Sequence, residues 1–337
     1  MEKDIFEASL TPEMLEKMRG DALVTGEGTT GYGPLDRSPQ ALEANLKAPT
    51  FDNERMWRLL RGSYDIHLHG GPSSTTQRLY DEIDLAIHAC HMELGGFVSK
   101  NHDSPSTRSM KLAQKVVDKW AEEHNKKKVE LFGGVVLNHA VGGLNPEAVI
   151  SAYRLGGKYV WLPSLDANHH RRVVGQGEGQ GIDLIDENDN LVPKMKDILK
   201  LIANTDMVLG VGHQSTKERL IVVKEAVKMG LQRIEINHVN FPMVWLTPEQ
   251  CKMFADLGAY IGIYAMEMGI YYKLEDVIAI YKAVGPERIV FASDCGVTGF
   301  PHPVDAMRRL IAAFLYRGVP DEHVKLMCQS NAYNLLH

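Results

Sequence analysis

A chain of 337 residues, 44% of them hydrophobic and 24% charged, has enough apolar material for one large α/β domain or two of ordinary size. Its net charge of -6 excludes recruitment of nucleic acid by bulk electrostatics, and no apolar run approaches the roughly 20 residues needed to cross a bilayer. The four cysteines, Cys90, Cys251, Cys295 and Cys328, lack CxxC spacing, which argues against a zinc ribbon or a disulfide framework and fits a reducing cytoplasm.

Residues 1–61 read as a short, partly helical extension. In "LTPEMLEKMRGDAL" Thr11 is placed to cap a helix, with Pro12 in its first position and Glu13 in its first turn. The turn-rich "TGEGTTGYGPLDRSPQ" follows, and "ALEANLKAPTFDNERMWRLLRG" is again partly helical. So few residues cannot bury a core of their own. They are expected to form an arm on the main domain, residues 62–337, suited to wrapping a neighbouring subunit of a homo-oligomer.

From Tyr64 onward a unit repeats: a short run rich in β-branched residues, a polar end, then a helical stretch. The runs are "YDIHLH", "GGFVSKNH", "ELFGGVVLNH", "KYVWLPS", "MVLGVGH", "RIEINHV", "AYIGIYAM" and "RIVFASD". Helical periodicity marks "LYDEIDLAIHACHME", "STRSMKLAQKVVDKWAEEHN", "VPKMKDILKLIAN" and "LEDVIAIYKAVG". Eight strands alternating with helices predict an α/β fold, a (β/α)8 TIM barrel, in preference to an open doubly wound sheet. Five of the eight runs end in, or one residue short of, histidine, and the last ends in aspartate, which suits a barrel whose chemistry gathers at the C-terminal mouth.

On a strand, residues i and i+2 face the same way, so His67 and His69 are expected to point together while Ile66 and Leu68 point oppositely. Two neutral imidazoles on one face can take a metal ion, although HxH alone is a weak signal. Gly70, Gly71 and Pro72 then turn the chain away. His213 closes the fifth run, His238 lies at the end of the sixth and Asp294 closes the eighth, all ligand types suited to zinc or a similar divalent ion.

In this order of short motifs, residues 62–337 resemble the amidohydrolase superfamily of metal-dependent hydrolases. The resemblance implies that His67, His69 and Asp294 hold a divalent metal, Zn2+ first and Mn2+ second, with one or two ions per chain. It further implies that His213 and His238 hold a second ion or assist the first, and that Asp294 takes a proton from an activated water and hands it to the leaving group. Many superfamily members place a carboxylated lysine on the fourth strand, but "KYVWLPS" ends in Trp161 and Ser164. Lys100, sharing a face with Val98 and His102 on the second strand, is the substitute candidate, as a carbamate ligand or as a cation gripping the substrate.

His102 and His139 end their strands as substrate-binding or core histidines. The long excursion "SLDANHHRRVVGQGEGQGIDLIDENDNLVP" is expected to be a mobile lid, with His169, His170, Arg171 and Arg172 offering positive charge to an anionic substrate and a hairpin turning at Asp189 and Asn190. Glu267 is a candidate supporting residue. The expected activity is hydrolysis of an amide, cyclic amide, ester or related bond in a small anionic molecule. A mononuclear-zinc decarboxylase of the same superfamily and a non-catalytic metal-binding protein are the alternatives.

Overall fold

The computed structural model describes residues 53–176, 179–266, 268 and 272–337, and in it eight short strands form one sheet in strict chain order. They are β1 Tyr64–Leu68, β2 Gly96–Ser99, β3 Glu130–Val136, β4 Tyr159–Trp161, β5 Val208–Val211, β6 Ile234–Ile236, β7 Tyr260–Tyr264 and β8 Ile289–Ala292. Every neighbouring pair is parallel. Closure comes just past β8, where the Asp294 N–H donates to the His67 carbonyl at 2.7 Å and the His69 N–H to the Cys295 carbonyl at 2.8 Å. The expected (β/α)8 barrel is the fold observed.

The first helices are α1 Asn53–Leu60, α2 Glu82–His91, α3 Thr107–Glu123, α4 Pro146–Arg154, α5 Asn168–Val173 and α6 Pro193–Ala203. After them come α7 Thr216–Lys228, α8 Pro248–Asp256, α9 Leu274–Val284, α10 Pro303–Tyr316, α11 Asp321–Lys325 and α12 Asn331–Leu336. Local chemistry sets several starts. Asp81 accepts from the N–H groups of Ile83 and Asp84 at 2.8 and 2.9 Å, while Ser215 with Glu218 and Thr247 with Gln250 form capping boxes at α7 and α8.

Period-2 alternation sorts the apolar residues into two layers. Val98, Val136, Tyr159, Val208, Val290 and Ala292 pack inside the barrel, and their neighbours Phe97, Val135, Val160, Leu209 and Phe291 face the helices. β1 departs from that alternation. Ile66 joins the interior cluster, only Leu68 joins the outer layer, and the β1–β2 register shifts between Asp65 and Leu68. This bulge corrects the expectation that Ile66 lies opposite the histidines: Ile66 and His67 both face inward, because one extra residue flips the parity of the strand. The Asp65 carboxylate accepts from the freed His67 N–H at 3.3 Å and from the Ser293 N–H at 2.9 Å, tying the bulge to the end of β8.

The expected helix after Thr11 and most of the 1–61 extension lie outside the described residues, as do Glu267 and part of "GQGEGQG". The end of the extension, α1, buries Met56, Leu59 and Leu60, and Arg55 and Arg58 pair with Asp321 at the start of α11. The anticipated hairpin reduces to one bridge, Ile185 with Leu191, because Asp186 Oδ1 itself takes the N–H groups of Asn188 and Asn190 at 2.9 and 2.8 Å. No described helix is long and apolar enough to cross a membrane.

Candidate metal centre

His67 and His69 project from the bulged end of β1 toward Asp294. His67 Nε2 lies 3.3 Å and His69 Nε2 2.9 Å from the same carboxylate oxygen, Oδ1, and all three residues are buried. The other nitrogen of each ring is occupied. His67 Nδ1 lies 2.9 Å from the Tyr264 hydroxyl, which donates to Glu235 Oε1 at 2.6 Å and accepts from Asn237 Nδ2 at 2.7 Å. His69 Nδ1 lies 2.9 Å from the Lys100 carbonyl.

These partners fix the tautomers. A tyrosine hydroxyl that donates to a carboxylate accepts from the imidazole, and a carbonyl can only accept, so both rings carry hydrogen on Nδ1 and a lone pair on Nε2. Burial pushes the pKa of both histidines far below the ordinary value, with Lys100 adding to it at each, and the rings are neutral. An ionised Asp294 also offers only lone pairs. Two ring nitrogens and a carboxylate oxygen converging without a donor among them fit a cation: ligands roughly 2.0–2.2 Å from a tetrahedral ion lie roughly 3.3 Å apart.

The backbone supports the arrangement. Asp294 has φ +53° and His238 φ +55°, two of the five non-glycine residues in the left-handed region among the described residues. Aspartate and histidine tolerate that region better than most, yet each costs about 1–3 kcal/mol, and such positions cluster where side-chain aim matters. Immediately afterwards Gly296 has φ +116°, and a Cβ there would lie 1.9 Å from the His69 carbonyl oxygen, so only glycine lets the chain pass β1 so closely.

His238 Nδ1 stands 3.4 Å from Asp294 Oδ2, with its ring 5.1 Å from that of His67. Burial pushes its pKa down to about 3, against the pull of Asp294. The ring of His213 is 4.9 Å from that of His238, and His213 Nδ1 is 2.9 Å from His170 Nδ1. His213 Nε2 is buried without a hydrogen-bond partner among the described residues. His170 therefore reaches the site from α5. His102 stacks on His69 at 5.1 Å and meets Ser164 Oγ at 2.9 Å through Nδ1.

Lys100 is buried just beyond β2, with Nζ 5.8 Å from the centre of the Trp161 ring. Burial lowers its pKa to about 8, opposed by the charges of Asp294 and Glu235. Other expected residues have partners of their own. His139 is exposed, its Nε2 3.0 Å from the Gln180 carbonyl. Arg171 pairs with Asp166 at 3.2 Å and donates to the Gln176 carbonyl at 3.0 Å, while Arg172 is exposed beside His169 Nδ1 at 3.3 Å. Glu235, Tyr264 and Asp65 went unnoticed in the sequence, although an acid within "RIEINHV" or "YDIHLH" is an uncommon resident of an apolar strand.

The family model described as "Family of unknown function (DUF6282)" matches residues 62–262, which contain the HxH pair, Lys100, His213 and His238. The chain belongs to the DUF6282 family. That match stops before Asp294, so its span covers two of the three converging residues. No curated protein matches this DUF6282 chain in sequence. Solved structures share its fold. A lactonase from Listeria monocytogenes aligns with TM-score 0.58 at 12% identity, over 82% of this chain and 95% of that one. An amidohydrolase from Pseudomonas aeruginosa aligns with TM-score 0.55 at 12% identity, over 85% and 98%. A β-aspartyl dipeptidase from Fervidobacterium islandicum aligns with TM-score 0.54 at 16% identity, over 82% and 72%. What these structures share with this chain is the barrel fold expected from the order of the motifs.

Proposed function

We propose that this chain is a metal-dependent hydrolase acting on an amide, cyclic amide, ester or related bond in a small anionic molecule. The observation that carries the reading is the convergence of His67 Nε2, His69 Nε2 and Asp294 Oδ1 with the opposite nitrogen of each ring already engaged. This nitrogen and oxygen set suits Zn2+, with Mn2+ second. When bound, such an ion supplies Lewis acidity and brings the pKa of water down to about 7. The lactonase and dipeptidase named among the barrel relatives both belong to the hydrolase class and support the same direction.

The residues divide the remaining work. Asp294 keeps Oδ2 for a proton, beside His238 Nδ1 at 3.4 Å. Burial raises the Asp294 pKa while the charges of His238, Lys100 and Arg78 restrain the rise, so the carboxylate gains basicity. Asp294 takes the proton during attack and returns it to the leaving group, with His238 orienting it. His213 and His170 form the facing wall, and Lys100 serves as an ammonium for the substrate anion, its charge shared with the Trp161 face.

A decarboxylase with a single zinc is the second reading, favoured by a three-residue donor set suited to one ion and by Lys100, whose charge acts on Asp294. One assay separates them. Zinc-reconstituted protein is given N-acyl amino acids, lactones, cyclic amides and aromatic carboxylic acids, with released acid and released CO2 followed in parallel. Acid release that disappears in Asp294→Asn supports the hydrolase; CO2 release in its place supports the lyase. Turnover by a folded Asp294→Asn protein equal to the parent's contradicts both.

A further inference from the structure

Arg78 lies between β1 and α2, and the proton and metal chemistry above uses it only as a charge near Asp294. Its backbone forms an antiparallel bridge with Val297, the Leu79 N–H reaches the Gly296 carbonyl at 3.4 Å, and the Thr298 N–H reaches the Gln77 carbonyl at 3.2 Å. A Cβ on Gly71 would lie 3.1 Å from Arg78 Cβ, so the returning chain packs directly against this side chain. These contacts hold Arg78 to the segment that follows Asp294. Its charge acts on Asp294, His69 and Lys100.

The guanidinium nevertheless has no ion pair or hydrogen bond among the described residues, and Nε and Nη1 are buried. Leaving buried donors of a charged group without partners is costly. The neighbouring carboxylate, Asp103, does not satisfy them: its Oδ2 is engaged by Ser73 Oγ and the Ser74 N–H, and its Oδ1 is itself buried without a partner among the described residues. Arg171, by contrast, is already bound to Asp166.

We infer that Arg78 is the specificity-determining residue of the site and that it grips a carboxylate of the substrate beside the bond that reacts. The inference rests on the proposed reading of the site as that of an enzyme. It commits to a carboxylate because the charges of Asp294 and Asp103 already act on the guanidinium, and they oppose the charge concentrated on one phosphate more than the single charge of each carboxylate group.

The test uses the full chain, zinc-loaded and zinc-free, with succinate and inorganic phosphate as probes in calorimetric titrations. Succinate binds the parent in both forms and more tightly than phosphate does, and binds Arg78→Gln about tenfold more weakly, the loss of roughly one charge-assisted hydrogen bond. Equal succinate affinity in folded Arg78→Gln, absence of succinate binding to the parent, or tighter binding of phosphate overturns the proposal. If Arg78→Gln does not fold, Arg78→Lys decides: a several-fold loss supports the guanidinium geometry, and unchanged affinity contradicts it. Zinc uptake is measured separately, so a chain that binds succinate through Arg78 but takes up no zinc overturns the metal reading and leaves this one standing.

Discussion

The Tyr264 hydroxyl lies 2.9 Å from His67 Nδ1, and Glu235, which accepts its hydrogen at 2.6 Å, thereby decides which nitrogen of His67 faces Asp294. Glu235 is wholly buried and also accepts from the Tyr159 hydroxyl at 3.1 Å. Its pKa is raised to about 7 by burial and held back by these donors. Removing the relay in Tyr264→Phe keeps the ring packing and is expected to weaken zinc binding by about 10–100-fold, the usual effect of losing a partner that orients a metal ligand. Competition with a chromogenic chelator measures it; unchanged affinity would show that packing alone sets the tautomer.

Lys100 decides between one metal and two. As an ammonium over Trp161 it is not a ligand, so Lys100→Ala is expected to keep the parent's metal content and lose affinity for an anionic substrate. A carbamate bridge predicts the opposite, loss of metal. Elemental analysis of the two proteins side by side distinguishes them.

Asp65 holds the bulge in β1. Asp65→Ala strands the buried N–H groups of His67 and Ser293 and is expected to cost about 2–5 kcal/mol of stability in urea denaturation. Asp65→Asn keeps an acceptor and costs less. Equal losses for both variants would mean that the charge, rather than the acceptor, matters.

At the opposite flank, Asp321 anchors α1 through Arg55 and Arg58, and these partners lower its pKa. A depressed carboxyl pKa stabilises the fold above the ordinary carboxylate value, and the contribution is lost as pH falls through the lowered folded value. Asp321→Asn is therefore expected to lower stability by about 0–1 kcal/mol at neutral pH, as for a partly exposed ion pair, and to match the parent in strong acid. A deficit that persists in acid would point to lost packing instead.

The strand count and the HxH pair were legible because both depend on local periodicity. The strand ends that carry His213, His238 and Asp294 were legible because in a closed barrel all eight meet at one mouth. The parity of β1 was not, since a bulge adds a residue without changing the pattern of residue types, and Ile66 consequently changed face. Glu235 and Tyr264 escaped for a different reason: each serves His67 from a strand far along the chain, and only the closed barrel brings them together. The contacts of Arg171 and Arg172 were not legible, because Asp166 and their own loop meet them only in the folded chain. Arg78, in a segment without periodicity, is identified only by what it lacks.

Metal content measures the central claim most directly. Full-length protein is reconstituted with Zn2+, desalted and analysed for zinc per chain, beside a His67→Ala, His69→Ala variant whose circular dichroism confirms the fold. One zinc per chain in the parent and next to none in the variant is the predicted result. A folded variant that retains the parent's zinc would contradict the assignment of His67, His69 and Asp294 as the metal centre.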